Sequence, residues 1–143
     1  VEGSMITFRN GGLYLHDNTS YYSTFYGSQF PASMTFVFNE KGLMKKDFNA
    51  ISLDSSPSAW TSASTNDIQT SLGQNSNLVA SDYELNEGFY HAGFMRDFNS
   101  IGGVVNGDYL KGAWMQIKLS NTSNNLVYLS GLYVNYTPSQ RNF

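Results

Sequence analysis

The chain has no cysteine, only three prolines, and charged side chains at just 13% of its 143 positions. Without cysteine there are no disulfides, no thiolate nucleophiles and no cysteine-ligated metals. Its two histidines are too few for a structural zinc site. Eight basic residues face 11 acidic ones, giving a net charge of −3, so there is no electrostatic case for nucleic acid. No apolar run is long enough to insert in a membrane as a helix, and no basic-then-apolar segment reads as a signal. Residues 1–5 read as an expression remnant or a disordered start. Residues 6–143 then form a single β-rich domain, long enough for a real core.

What the chain does contain is aromatic and β-prone. Aromatics make up 15%, with ten Tyr and ten Phe, which favours strands and broad amphipathic contact surfaces. In residues 113–119, Ala113, Met115, Ile117 and Leu119 share one face, and Trp114, Gln116 and Lys118 share the other. That period of two predicts a strand with one buried face. Residues 126–136 read as its returning hairpin partner, with Gly131 marking a bulge or a close backbone approach. Met34, Phe36 and Phe38 alternate with Ser33, Thr35 and Val37. This run and a second strand over residues 46–54 are predicted to pair as a hairpin. Residues 6–8, 13–16, 78–83 and 89–96 complete the strand candidates. Residues 54–77 read as a long Ser/Asn/Gln-rich loop around Trp60 that carries contacts or function. Turns are expected at Gly11, Gly27, Gly88 and Gly107–Asp108, and Gly112 precedes the last hairpin. Seven or eight strands with little helix predict an all-β, antiparallel β-sandwich, jelly-roll-like or a partly closed barrel.

Catalytic constellations are weak. His16 and Asp17 are adjacent, so in a strand they point to opposite faces. His91 lies in an aromatic strand and reads as a packing residue. Glu84 and Glu87 bracket a turn rather than a sugar-sized gap, leaving glycoside hydrolysis a remote reading. Asp97 and Asp108 do not match a calcium loop. We expect no enzyme activity, no metal and no cofactor. Trp60 and Trp114, with abundant Asn and Gln, raise the alternative of a carbohydrate-binding module for a host surface glycan. Tyr21, Tyr22 and Tyr26 suit a protein interface, where aromatics are enriched and charge is sparse.

Four segments carry a family likeness in a fixed order. They are LYLHDNTSYYSTFYG (13–27), SMTFVFNEKGLMKKDFNAISLDS (33–55), EGFYHAGFMRDFN (87–99) and GDYLKGAWMQIKLSN (107–121). Together they resemble the C-terminal region of muzzle or stabilisation-type structural proteins at the distal tail of crAss-like bacteriophages of the gut. The resemblance implies a virion component of the tail or neck. Its partners would be other phage structural proteins or copies of itself. It carries over no catalytic residues. Glu87, Gly88, Tyr90, Arg96 and Asp97, then Gly107, Asp108, Tyr109 and Gly112, are its most recognisable positions. Their glycines permit turns, and Asp108 can cap one.

Overall fold

The computed structural model describes residues 5–16, 22–56, 60–98 and 108–139. Every strand pair among them is antiparallel. The chain opens with a hairpin of β1 (Ile6–Arg9) and β2 (Gly12–Leu15), followed by a small hairpin of β3 (Thr24–Phe25) and β4 (Ser28–Gln29). Two larger sheets form the body. In the first, the ten-residue β6 (Lys46–Ser55) is central, with β13 (Leu129–Pro138) along one side. On its other side lie β10 (Phe89–Gly93) and the short β11 (Lys111–Gly112), and β9 (Glu84–Asn86) lies outside β10. The second sheet runs β5 (Ala32–Phe38), β12 (Met115–Asn121), β7 (Ile68–Thr70), β8 (Asn75–Ser76).

The alternation explains the layers. Met115, Ile117 and Leu119 of β12 are fully buried, and so is Ile68, the register partner of Ile117 on β7. On β6 the buried apolar positions are Phe48, Ile51 and Leu53. Their parity changes because Asn49 is an extra residue opposite β13, where Asn135 faces Ala50 but Tyr136 faces Phe48. A one-residue bulge swaps the faces of a strand, so β6 turns Phe48 inward before the bulge and Ile51 and Leu53 inward after it. A second bulge at Ser130 does the same for β13. It brings Leu132 opposite Leu53 and Val134 opposite Ile51. The sandwich core is these inner rows, with Trp60, Leu78, Ala92 and Leu110.

The two-residue turns obey backbone sterics. Asn10–Gly11, Tyr26–Gly27 and Glu87–Gly88 each place both residues at positive φ, between 49° and 85°. This is the type I′ turn that matches strand twist, and glycine adopts its second position without penalty. Gly112 behaves differently from the expectation. It sits in β11 rather than in a turn, and a Cβ there would lie 3.1 Å from the Ser71 amide nitrogen and 3.3 Å from the Trp114 carbonyl oxygen. Asp108 is exposed, and Gly107 lies outside the described residues.

Both predicted large hairpins are corrected. β12 pairs with β5 and β7, and β13 pairs with β6. Likewise β5 and β6 belong to different sheets. The connections of residues 39–45 and 122–128 are long enough to cross between layers, so neither enforces a hairpin. The expected loop at 54–77 contains the end of β6 and the β7–β8 hairpin. The expected strand at 78–83 is a 3₁₀ turn, Ala80–Asp82, where the Asp82 carboxylate accepts the Val79 amide at 2.8 Å.

Lys46 is 1% exposed, and its ammonium donates to the carbonyls of Ala113 (2.5 Å), Met44 (3.2 Å) and Lys41 (3.4 Å). Burial pulls its pKa below the usual lysine value, partly offset by Glu40. Tyr83 packs on the core, with its hydroxyl buried and without a hydrogen-bond partner among the described residues. Burial, then the charge of Asp82, pushes its pKa above the ordinary phenol value. The neutral ring is therefore favoured by folding. Its contribution is present below about pH 10 and lost as pH rises through the folded pKa, because the unfolded chain ionises first. Tyr83→Phe should raise stability at neutral pH by up to about 1 kcal/mol. In urea melts across pH 8–11, it should also flatten the alkaline loss of stability.

Candidate interaction surface

The two sides of the sandwich are finished differently. Along the β8 side, polar contacts stitch the layers together. Ser76 Oγ donates to the Met95 carbonyl at 3.0 Å. The Asn75 amide donates to Asp97 Oδ1 at 3.1 Å, and the Phe98 amide to the Asn75 carbonyl at 3.0 Å. Gln74 Nε2 donates to the Tyr109 carbonyl (2.9 Å), and its Oε1 accepts the Lys111 amide (2.7 Å). Ser71 Oγ accepts the Ala113 amide at 2.8 Å.

On the opposite side, β5 ends one sheet and β13 ends the other. Among the described residues no strand pairs with either outer edge. Between these edges lies a slot of about 320 Å³, walled by Met34 and residues 36–38 of β5 and by residues 129–132 of β13. The wall follows from the local sequence. The bulge at Ser130 turns that side chain outward, and Gly131 contributes none, so the β13 wall recedes. A Cβ on Gly131 would come within 3.0 Å of the Tyr133 ring. No lining side chain carries a charge. An unpaired edge beside a slot lined by uncharged side chains offers backbone hydrogen bonds and apolar contact at once, the two requirements for accepting an added strand.

The side chains singled out from sequence lie elsewhere. Trp60 is only 4% exposed, and its Nε1 donates to the Tyr128 carbonyl at 3.3 Å. It closes the end of the sandwich where β6 leaves and β13 enters. Trp114 is 37% exposed, just before β12. Tyr22 is half-buried, and its amide donates to the Asn124 carbonyl at 2.7 Å. Tyr26 is half-buried under the first hairpin, edge-on to Tyr14 (5.1 Å between centroids) and beneath the Arg9 guanidinium (4.8 Å). Tyr21 lies outside the described residues. Sequence reasoning missed the exposed rings of Phe8, Tyr109, Tyr128 and Tyr133. It also missed the slot, whose walls are far apart in the chain.

Reactive groups are engaged in cross-strand contacts. Ser52 Oγ and His91 Nδ1 stand 2.8 Å apart as register partners, with His91 exposed on the outer face of the first sheet. Water there prevents the desolvation that a nucleophile–base pair exploits. His16 Nε2 meets Thr7 Oγ1 at 2.6 Å. Arg96 stacks over Tyr109 at 4.4 Å and donates to its hydroxyl at 2.9 Å. Among the described residues, no group of three or more His, Asp or Glu could hold a metal ion.

A model of the Crassvirus muzzle protein C-terminal domain matches residues 20–97, more than half of the chain. The chain belongs to that family. The Crassvirus muzzle domain is part of a phage structural protein, not of an enzyme family. The match takes in β3 through β10, so it includes the β5 wall of the slot. The β13 wall and the β1–β2 hairpin lie outside it. No curated protein matches the chain significantly.

The two tryptophans make opposite demands on the fold. Trp60→Ala should cost about 3–5 kcal/mol, as for a buried aromatic. Trp114→Ala should cost about 1 kcal/mol or less. Urea unfolding of the two variants beside the wild type checks the difference.

Proposed function

We propose that this domain is a non-enzymatic interaction module of the virion, in the tail or neck, that holds a neighbouring subunit in the slot between β5 and β13. The observation that carries the reading is the slot of uncharged side chains itself, flanked by two strand edges that no strand pairs with among the described residues. Soluble proteins normally cover or charge such edges. Here Val37 is 60% exposed on β5, and uncharged side chains line the slot. The family membership supports a virion setting and partners that are other phage structural proteins or copies of this chain. Residues 6–143 act as one β-rich unit in this reading. Among the described residues no helix is long and apolar enough to cross a membrane. Glycan binding would rest on Trp114, since Trp60 has little free ring surface.

The cysteine-free chain makes the test simple. Single-cysteine variants Met34→Cys and Leu129→Cys place a thiol at each wall of the slot, and Leu85→Cys on β9 serves as the exposed control. Their maleimide labelling rates are compared in the isolated chain and in assembled virions. The two slot thiols should slow by about tenfold or more on assembly, as expected for atoms in an interface core. Equal rates in both states would contradict the proposal.

A further inference from the structure

We propose that the outer face of the first sheet is a binding platform for a neutral glycan, distinct from the slot. Alternation fixes which side chains it displays. Ile51, Leu53 and Ala92 are buried, and Leu132 and Val134 pack against the same core. Their neighbours along each strand therefore point outward. The register sets these in one row across four strands: Glu84 of β9, His91 of β10, Ser52 of β6 and Tyr133 of β13. At the strand spacing of a sheet the row is about 14 Å long, the reach of a short oligosaccharide. Beside it, Asn86 pairs with Phe89 and Asp54 with Gly131. The platform adjoins the slot at Gly131 and shares no side chain with it. Trp114, just before β12 of the other sheet, lies apart from it.

Three features say what this face would hold. The first is a ring placed for stacking. Tyr133 is 59% exposed, and its ring leans over Gly131, where a Cβ would lie 3.0 Å from it. One side of the ring is therefore turned to the backbone and the other to solvent. Phe89 meets it edge-on at 6.4 Å between centroids, across the full width of β6. That contact sets the ring before any ligand arrives, and the C–H face of a pyranose packs on such a surface. The second feature is hydrogen-bonding capacity. Among the described residues the carboxylates of Asp54 and Glu84 and the amide of Asn86 have no hydrogen-bond or ion-pair partner. His91 uses Nδ1 on Ser52 Oγ at 2.8 Å, which leaves its other ring nitrogen. Ionised carboxylates only accept, so they call for donors, and sugar hydroxyls supply them. Apolar protein surface would bury the same carboxylates without partners, at a cost. The third feature is charge. These four strands contain one lysine, Lys46, which is buried, and no arginine. Two carboxylates with no opposing cation repel a uronic, sialic or phosphorylated sugar, so the glycan is neutral.

A printed array tests this with the full 143-residue chain. It carries neutral oligosaccharides of hexoses and N-acetylhexosamines, with uronic-acid and sialylated members as the acidic arm. Neutral members should be captured and acidic ones should not. By isothermal titration, affinity for the best neutral member should fall about tenfold or more in Tyr133→Ala, the loss of one aromatic contact. Tyr133→Phe should recover most of it, because stacking needs the ring rather than the hydroxyl. Asp54→Asn with Glu84→Gln should also weaken binding, and Trp114→Ala should bind like the wild type. Urea midpoints near the wild-type value check that each variant folds. No capture of any neutral glycan, or capture of acidic ones alone, would overturn the proposal. So would binding that Trp114→Ala abolishes and Tyr133→Ala leaves intact. None of these results bears on the slot, where thiol labelling reads other side chains.

Discussion

The structure depends on the contact between the inner rows of β6 and β12. Ile51 and Leu53 on one sheet, and Met115, Ile117 and Leu119 on the other, are each exposed by 1% or less. Each strand is flanked on both edges, so each can present a full apolar row without exposing an edge. The remaining strands are shorter or lie at the margins, and they take their positions from these two. A small sandwich of this kind has two open sides, and the chain treats them differently. The β8 side is tied to the segments after β10 and around β11 by the side chains of Ser71, Gln74, Ser76 and Asp97. On the β5–β13 side, uncharged side chains line the slot, and Tyr136 of β13 hydrogen-bonds Glu40 just past the end of β5.

That asymmetry links stability to function. A side closed by polar side chains satisfies its own hydrogen bonds and gains little from a partner. A side that leaves main-chain donors and acceptors beside an open, uncharged slot gains from any strand that supplies both pairing and apolar cover. The isolated domain can hold its fold through the core and still have a surface that is completed only by assembly. Membership of a phage structural family accords with this division of labour, because a subunit must fold before it meets its neighbours.

The sequence made faces legible and left partners hidden. The alternation in β5 and β12 separated the inward rows from the outward ones, since period two is set by the strand itself. The glycine turns at Gly11, Gly27 and Gly88 were equally local and equally readable, and the irregularity signalled by Gly131 falls on its neighbour Ser130. Pairing was not, because alternation says which face is buried and nothing about which edge is joined. The short β7 and β8 escaped for another reason. Their inner positions include Thr70 and Ser76, which are buried. Thr70 Oγ1 donates to Gln74 Oε1 (3.1 Å) and Ser76 Oγ to the Met95 carbonyl. Small hydroxyl residues fit where the layers approach closely, and they remove the hydrophobic signal on which strand recognition relies. Trp60 stood out by type, but its burial is set by the chain ends it closes over. The slot combines β5 with the bulged start of β13, a juxtaposition no local pattern encodes.

The central claim is that the outer edges of β5 and β13 are unpaired in the isolated domain and become paired on assembly. Amide hydrogen exchange across these two strands, compared between the free chain and the assembled particle, addresses it most directly. The outward-facing amides of both edges should exchange freely in the isolated chain and become protected in the particle, while β12 amides stay slow in both. Identical exchange of β5 and β13 in the two states would contradict the account.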